Sequence, residues 1–147
     1  MLAINFFTNE EKKLITSAIL EAEKNTSGEI RVHVSNQCNE DVKDCAAWWF
    51  AKLKMHKTKL RNGVLFYIAV KDRKFAILGD KGINAVTEDD FWDRIRDTVL
   101  EEFKQENFAG GIHSGILMAG EQLKRHFPYE KGDVNELPNE ISFGEKS

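Results

Sequence analysis

Six oxygen-bearing side chains, Glu29, Asn62, Asp80, Asp89, Asp90 and Asp93, are the residues whose chemistry is most suggestive. A set made only of carboxylates and an amide suits a hard cation. Ca2+ takes about six to eight oxygens in irregular geometry, and Mg2+ takes fewer protein ligands and keeps more water. No cluster of His or thiolate ligands competes for a softer metal. The same carboxylates could hold a metal that activates water for phosphoester hydrolysis, so a metal-assisted acid phosphatase-like hydrolase is the alternative to binding alone. Taken singly, each residue also has a plainer role. Glu29 can pair with Arg31 along a strand face, Asp80 can end a turn, and Glu88, Asp89 and Asp90 can complement a helix dipole. Only convergence makes a site, and convergence depends on chain routing.

The routing follows from periodicity. Thr8 and Glu11 have capping-box spacing before an apolar stripe of Leu14, Ile15, Ala18, Ile19 and Ala22, which predicts a helix over about 9–24. Ser27-Gly28 stops it. Residues 29–35 alternate, with Ile30, Val32 and Val34 on one side and Glu29, Arg31, His33 and Ser35 on the other. This pattern predicts a half-buried strand near a sheet edge, with His33 at the surface. A second helix follows, ending near His56. Residues 64–70 are almost continuously apolar and predict a central strand. The short turn Lys71-Asp72-Arg73 then leads back into an antiparallel hairpin partner over 74–78. Thr87 is the expected cap of a third helix over about 88–105. Asn107 to Gly111 reads as a break, and a fourth helix runs to about Arg125, with Gly115 allowing close packing on a neighbour.

The first strand, second helix and second strand form a βαβ unit, whose strands must be parallel. With the hairpin this gives an α/β fold: a mixed β-sheet flanked by about four helices. The start of the first strand, the start of the second and the end of the third then share one sheet edge. That edge is where Glu29, Asn62, Asp80 and the acidic start of the third helix are expected to meet.

Composition narrows the function classes. The chain has 147 residues, is 41% hydrophobic and contains ten Phe, enough for one domain with a sizeable core. Its net charge of -3 lacks the basic footprint of a nucleic-acid binder. No apolar run reaches membrane-spanning length, and the start lacks a signal-peptide pattern. The expectation is a cytoplasmic protein with one domain over 1–127 and a flexible tail over 128–147. The only cysteines, Cys38 and Cys45, have no zinc spacing and are expected to be reduced thiols. The basic run from Lys52 to Arg61 follows a helix C-terminus, where the dipole favours cations. That run or the tail is the surface for a protein partner if the chain is an interaction module without a metal site. Walker A, G-x-G-x-x-G, H-E-x-x-H, G-x-S-x-G and EF-hand patterns are all absent, and the four histidines lie on four different elements. The reading therefore leans away from an enzyme.

Several blocks resemble one family in order and spacing. Thr26-Ser27-Gly28-Glu29-Ile30-Arg31-Val32 after an amphipathic helix is similar to the opening signature of the TPM domain. Asn62-Gly63-Val64-Leu65, the Asp72-Arg73 turn and Gly79-Asp80-Lys81-Gly82 are similar to its later blocks, and the stretch from Phe103 through Gly111-Ile112 to Leu123 to its last helices. The resemblance covers about residues 6–127. It implies an α/β sandwich with a Rossmann-like look and a divalent-cation site, with calcium the associated ion. From the plant branch it also implies a phosphatase activity. With no signal-peptide or membrane-anchor pattern like that of many members in this sequence, the expectation is a small stand-alone bacterial-type version.

Overall fold

The computed structural model describes residues 2–129 and 136–145. Helix α1 spans Asn9–Glu23 and opens with the expected capping box: the Glu11 amide donates to Thr8 Oγ1 and the Thr8 amide to Glu11 Oε1. Strand β1, Glu29–Ser35, leads into α2, Val42–Lys52. Strand β2, Gly63–Ala69, turns tightly into β3, Lys74–Gly79. The short helix α3, Lys81–Asn84, precedes α4, Phe91–Lys104, and α5, Phe108–His126. A two-residue strand, β4, Ser142–Phe143, comes last.

The sheet order is β3-β2-β1-β4. Strands β1 and β2 run parallel, with Glu29 opposite Gly63 and Ser35 opposite Ala69, and β2 and β3 run antiparallel. This is the mixed sheet that the βαβ unit and the hairpin require. Alternation along the strands sends Ile30, Val32, Val34, Val64, Phe66 and Ile68 into a core shared with α1, α4 and α5. Leu65, Tyr67, Ala69 and Ala76 point the other way, against Trp49 and Ala46 of α2. The result is an α/β sandwich with helical cover on both faces of the sheet. Two glycines let the helices close up. A Cβ at Gly115 would lie 2.7 Å from Val99 Cγ2 and 2.9 Å from Phe66 Cε2, and one at Gly120 would lie 2.6 Å from Ala22 Cβ. Helix α5 thus packs on α4, the sheet and α1 at near-backbone separation.

Several local expectations are corrected. All seven residues of β1 are buried, so it is not half-exposed, although it does lie near a sheet edge, beside the two-residue edge strand β4. Helix α2 and residues 136–145 cover its polar face, and β4 pairs with it at His33 and Val34. The second helix stops at Lys52, and Met55–Lys57 form a separate 3₁₀ turn after Lys54, whose φ is 58°. Thr87 does not cap α4. Its hydroxyl donates back to the Ile83 carbonyl, and the helix begins at Phe91 with Glu88 and Asp89 outside it. Gly110 and Gly111 lie inside α5 rather than in a break: a Cβ at Gly111 would press on Glu102, Val99 and Phe103 of α4, and one at Gly110 on the side chain of Asn107 just before the helix. Cys38 and Cys45 form a disulfide. The loop leaving β1 folds back on the start of α2 and brings their Cα atoms to 6.2 Å, within bridging range.

Of the expected tail, residues 136–145 lie along β1, and residues 130–135 and 146–147 are outside the described residues. No helix among the described residues is long and apolar enough to cross a membrane.

Candidate functional site

The parallel pair and the hairpin bring Glu29, Asn62 and Asp80 to one sheet edge, as routing requires. Glu29 is level with Gly63, its amide faces the Asn62 carbonyl at 3.5 Å, and the Asp80 amide donates to Gly63 O at 2.9 Å. The side chains at this edge nevertheless have different occupations.

Glu29 is buried at 2% exposure. Its Oε1 accepts from the Leu137 amide at 2.6 Å, while Oε2 is buried with no hydrogen-bond partner among the described residues. Burial pushes this carboxyl up to about 7, opposed by the Leu137 and Glu136 amides and assisted by the Glu136 charge. Glu23, the last residue of α1, reaches across the chain reversal, and its Oε2 accepts from the Ile30 amide at 2.8 Å. It too is pushed up to about 7, first by burial, against the pull of the Ile30 bond, with the neighbouring Glu29 charge adding to the rise. Two acids near the middle of their titration at neutral pH thus flank the start of β1. Asn62 is buried beside them, its amide nitrogen donating to Ser27 Oγ at 3.5 Å.

Asp80 is otherwise engaged. Arg61 grips it with two bonds, Nε to Oδ2 at 2.6 Å and Nη2 to Oδ1 at 2.8 Å. Oδ1 also caps α3 through the Lys81 amide. A bidentate, charge-assisted pair of this kind holds a carboxylate firmly. Asp89, Asp90 and Asp93 are exposed. Asp93 pairs with Arg96 at 3.1 Å and Asp90 approaches Arg94 at 4.0 Å. Of the six sequence-derived residues, the structure therefore places Glu29 and Asn62 together in one buried region. It gives Asp80 to Arg61 and leaves the three α4-region aspartates on the surface. Among the described residues, no group of three or more His, Cys, Asp or Glu is placed to hold a metal ion.

The remaining polar side chains of β1 form a buried seam met by the C-terminal segment. His33, expected at the surface, has 0% exposure and stacks on Trp49 with ring centroids 3.6 Å apart. Its Nε2 lies 3.2 Å from Gly144 O and its Nδ1 2.6 Å from Ser142 Oγ. A carbonyl only accepts, so Nε2 carries the proton and Nδ1 accepts from the serine hydroxyl. Burial pushes His33 down to about 4, against the Gly144 bond and with help from Arg31. The Ser35 hydroxyl donates to the same Gly144 carbonyl. Beyond the strand end, the Glu145 carboxylate accepts from the Asn36 and Gln37 amides. Sequence reasoning did not find Glu23, His33 or this segment as part of one region. The only local signal was the Ile141-Ser142-Phe143 alternation near the end of the chain.

A mixed four-stranded sheet, helices on both faces and a buried polar strand face define a small α/β sandwich domain. The TPM domain family model matches residues 3–122, and the chain belongs to that family. The NMR structure of BA42 protein from the psychrophilic bacterium Bizionia argentinensis is 54% identical, with a TM-score of 0.88 over 95% of this chain and 97% of that one. Two more distant solution structures share the fold. The N-terminal domain of a P. gingivalis protein is 17% identical, with a TM-score of 0.71 over 86% of this chain and 83% of that chain. The N-terminal domain of cg2496 protein from Corynebacterium glutamicum is 15% identical, with a TM-score of 0.64 over 80% and 74%. No curated protein matches the chain.

Proposed function

We propose that this TPM domain is a non-catalytic binding module that takes a divalent cation, Ca2+ or Mg2+, at the start of β1. The observation that carries the reading is the buried Glu29 Oε2, which has no partner among the described residues. Leaving a buried carboxylate oxygen unpaired is costly, and a cation or a proton relieves the cost. Glu23 supplies a second carboxylate and Asn62 a neutral oxygen, while main-chain carbonyls and water complete the shell. One or two carboxylates with retained water suit Mg2+, and a more open shell of the same donors takes Ca2+ weakly. Asp80, Asp89, Asp90 and Asp93 have no part in this site. Because cation and proton compete for the same oxygens, affinity rises with pH across the range in which Glu23 and Glu29 lose their protons.

Titrating Ca2+ and then Mg2+ into 15N-labelled protein at pH 7.5 tests the proposal. Saturable shifts at Glu23, Glu29, Ile30 and Asn62 are expected, weaker at pH 6 and lost in Glu29→Gln. Shifts confined to Asp89–Asp93 or to the Asn36 and Asp72 region would sink the site. Phosphoester turnover that requires both the metal and Glu29 would move the reading to a metal-assisted phosphatase.

A further inference from the structure

At the opposite edge of the sheet, where β2 ends, lies a cleft of about 430 Å³. This volume is within the roughly 300–1,000 Å³ typical of small-molecule sites. The end of β2, with Ile68 and Val70 facing this side, lines it together with Leu100, Phe103 and Phe108. The aromatic wall is braced: the Phe103 and Phe108 rings lie 5.2 Å apart, and Phe75 backs Phe103 at 5.4 Å. Open sheets of this class place ligands outside the carboxyl ends of their parallel strands, and the cleft occupies that position.

The mouth is cationic. Arg73 and Lys104 line it against one acid, Glu106. Lys74 also lines the cleft, but its ammonium is turned to the Cys38 and Glu40 carbonyls. Arg73 sits in the hairpin turn at φ 52° and makes no ion pair among the described residues. Lys104 has only a loose 3.7 Å pair with Glu101, both highly exposed, and such pairs contribute little. An apolar interior with spare positive charge at its rim is complementary to one kind of small molecule.

We propose that this cleft binds a small amphipathic carboxylate, with its apolar body against Phe103 and Leu100 and its anionic head between Arg73 and Lys104. The charge excess selects for the anion, and the apolar lining supplies most of the affinity. The site is separate from the proposed cation site and uses none of its residues.

The probe is decanoate below its micellar concentration, compared with decanol, each titrated into 15N-labelled protein at low salt. Saturable decanoate shifts over residues 68–74 and 100–108 are expected, with decanol about fivefold weaker. The Arg73→Ala/Lys104→Ala double variant should erase that preference, and Leu100→Trp, which fills the cleft, should abolish binding. If Leu100→Trp fails to fold, the double variant decides alone, because both of its sites are on the surface. Shifts elsewhere, equal binding of acid and alcohol, or an unaltered preference in the double variant would each overturn the proposal.

Discussion

His33 and the acid pair Glu23 and Glu29 pull stability in opposite directions as pH changes. The two carboxyls titrate near 7 in the folded chain and near 4.5 when unfolded. Between those values the native state holds more protons, so stability falls as pH rises from about 4.5 to 7. His33 titrates near 4 when folded and near 6.5 when unfolded. Over that range the unfolded state holds more protons, so stability falls as pH drops from 6.5 to 4. The windows overlap and two acids oppose one histidine, so urea unfolding between pH 4 and 8 should show a net loss of stability toward neutral pH. Glu29→Gln flattens that loss, and His33→Gln steepens it. Parallel pH profiles for the wild type and both variants would contradict this account. At this scale the sequence was partly legible. Glu29 was recognisable because a carboxylate opens an alternating strand, and Asp80 because it follows one. The Arg61 fork on Asp80 was not, because it joins residues nineteen apart whose pairing depends on the hairpin.

Among elements, the apolar stripes of α1, α4 and α5 and the βαβ connection were legible because each is a local pattern. The capping box that opens α1 was legible too, but the starts of α4 and α5 were not. Thr87 is a good cap by type, yet its hydroxyl turns back to Ile83. Gly110 and Gly111 resemble a stop, yet both lie inside α5, where Gly111 lets α4 approach closely. The strand β1 misled for a physical reason: alternation reports which side chains are polar, and not what later covers them. The α1–α5 contact gives a direct test. Adding a methyl group at Gly120 would bring it against Ala22 Cβ at 2.6 Å and Cα at 2.9 Å. Overpacking costs about 1–3 kcal/mol, which outweighs the gain of up to about 1 kcal/mol from replacing a helical glycine with alanine. Gly120→Ala should therefore lower the melting temperature by about 3 °C or more, measured by circular dichroism. A rise would mean that α1 yields easily at this point.

For the whole molecule, the C-terminal segment is what makes the polar side of β1 an interior. Leu137 meets Glu29, Ser142 and Gly144 meet His33, and Gly144 meets Ser35. Removing residues 136–147 should leave a folded sandwich in which the His33 pKa moves from about 4 back toward 6.5, followed by its ring carbon shifts in an NMR titration. A His33 that still titrates near 4 in the shortened chain would show that α2 alone keeps it dry. The sequence reading stopped at Phe127 because these contacts lie more than a hundred residues apart along the chain.

The Cys38–Cys45 bridge spans the cap of α2, where the Asp41 side chain accepts from the Lys43 amide. Strong reductants open such links by thiolate attack, leaving the start of the helix that shelters the His33–Trp49 stack to its hydrogen-bonded cap and its packing on the sheet. The amides of α2 should then exchange with deuterium faster in the presence of a dithiol than in air, while those of α5 keep their rates. The tightness of that shelter would thus record the electron supply of the surroundings.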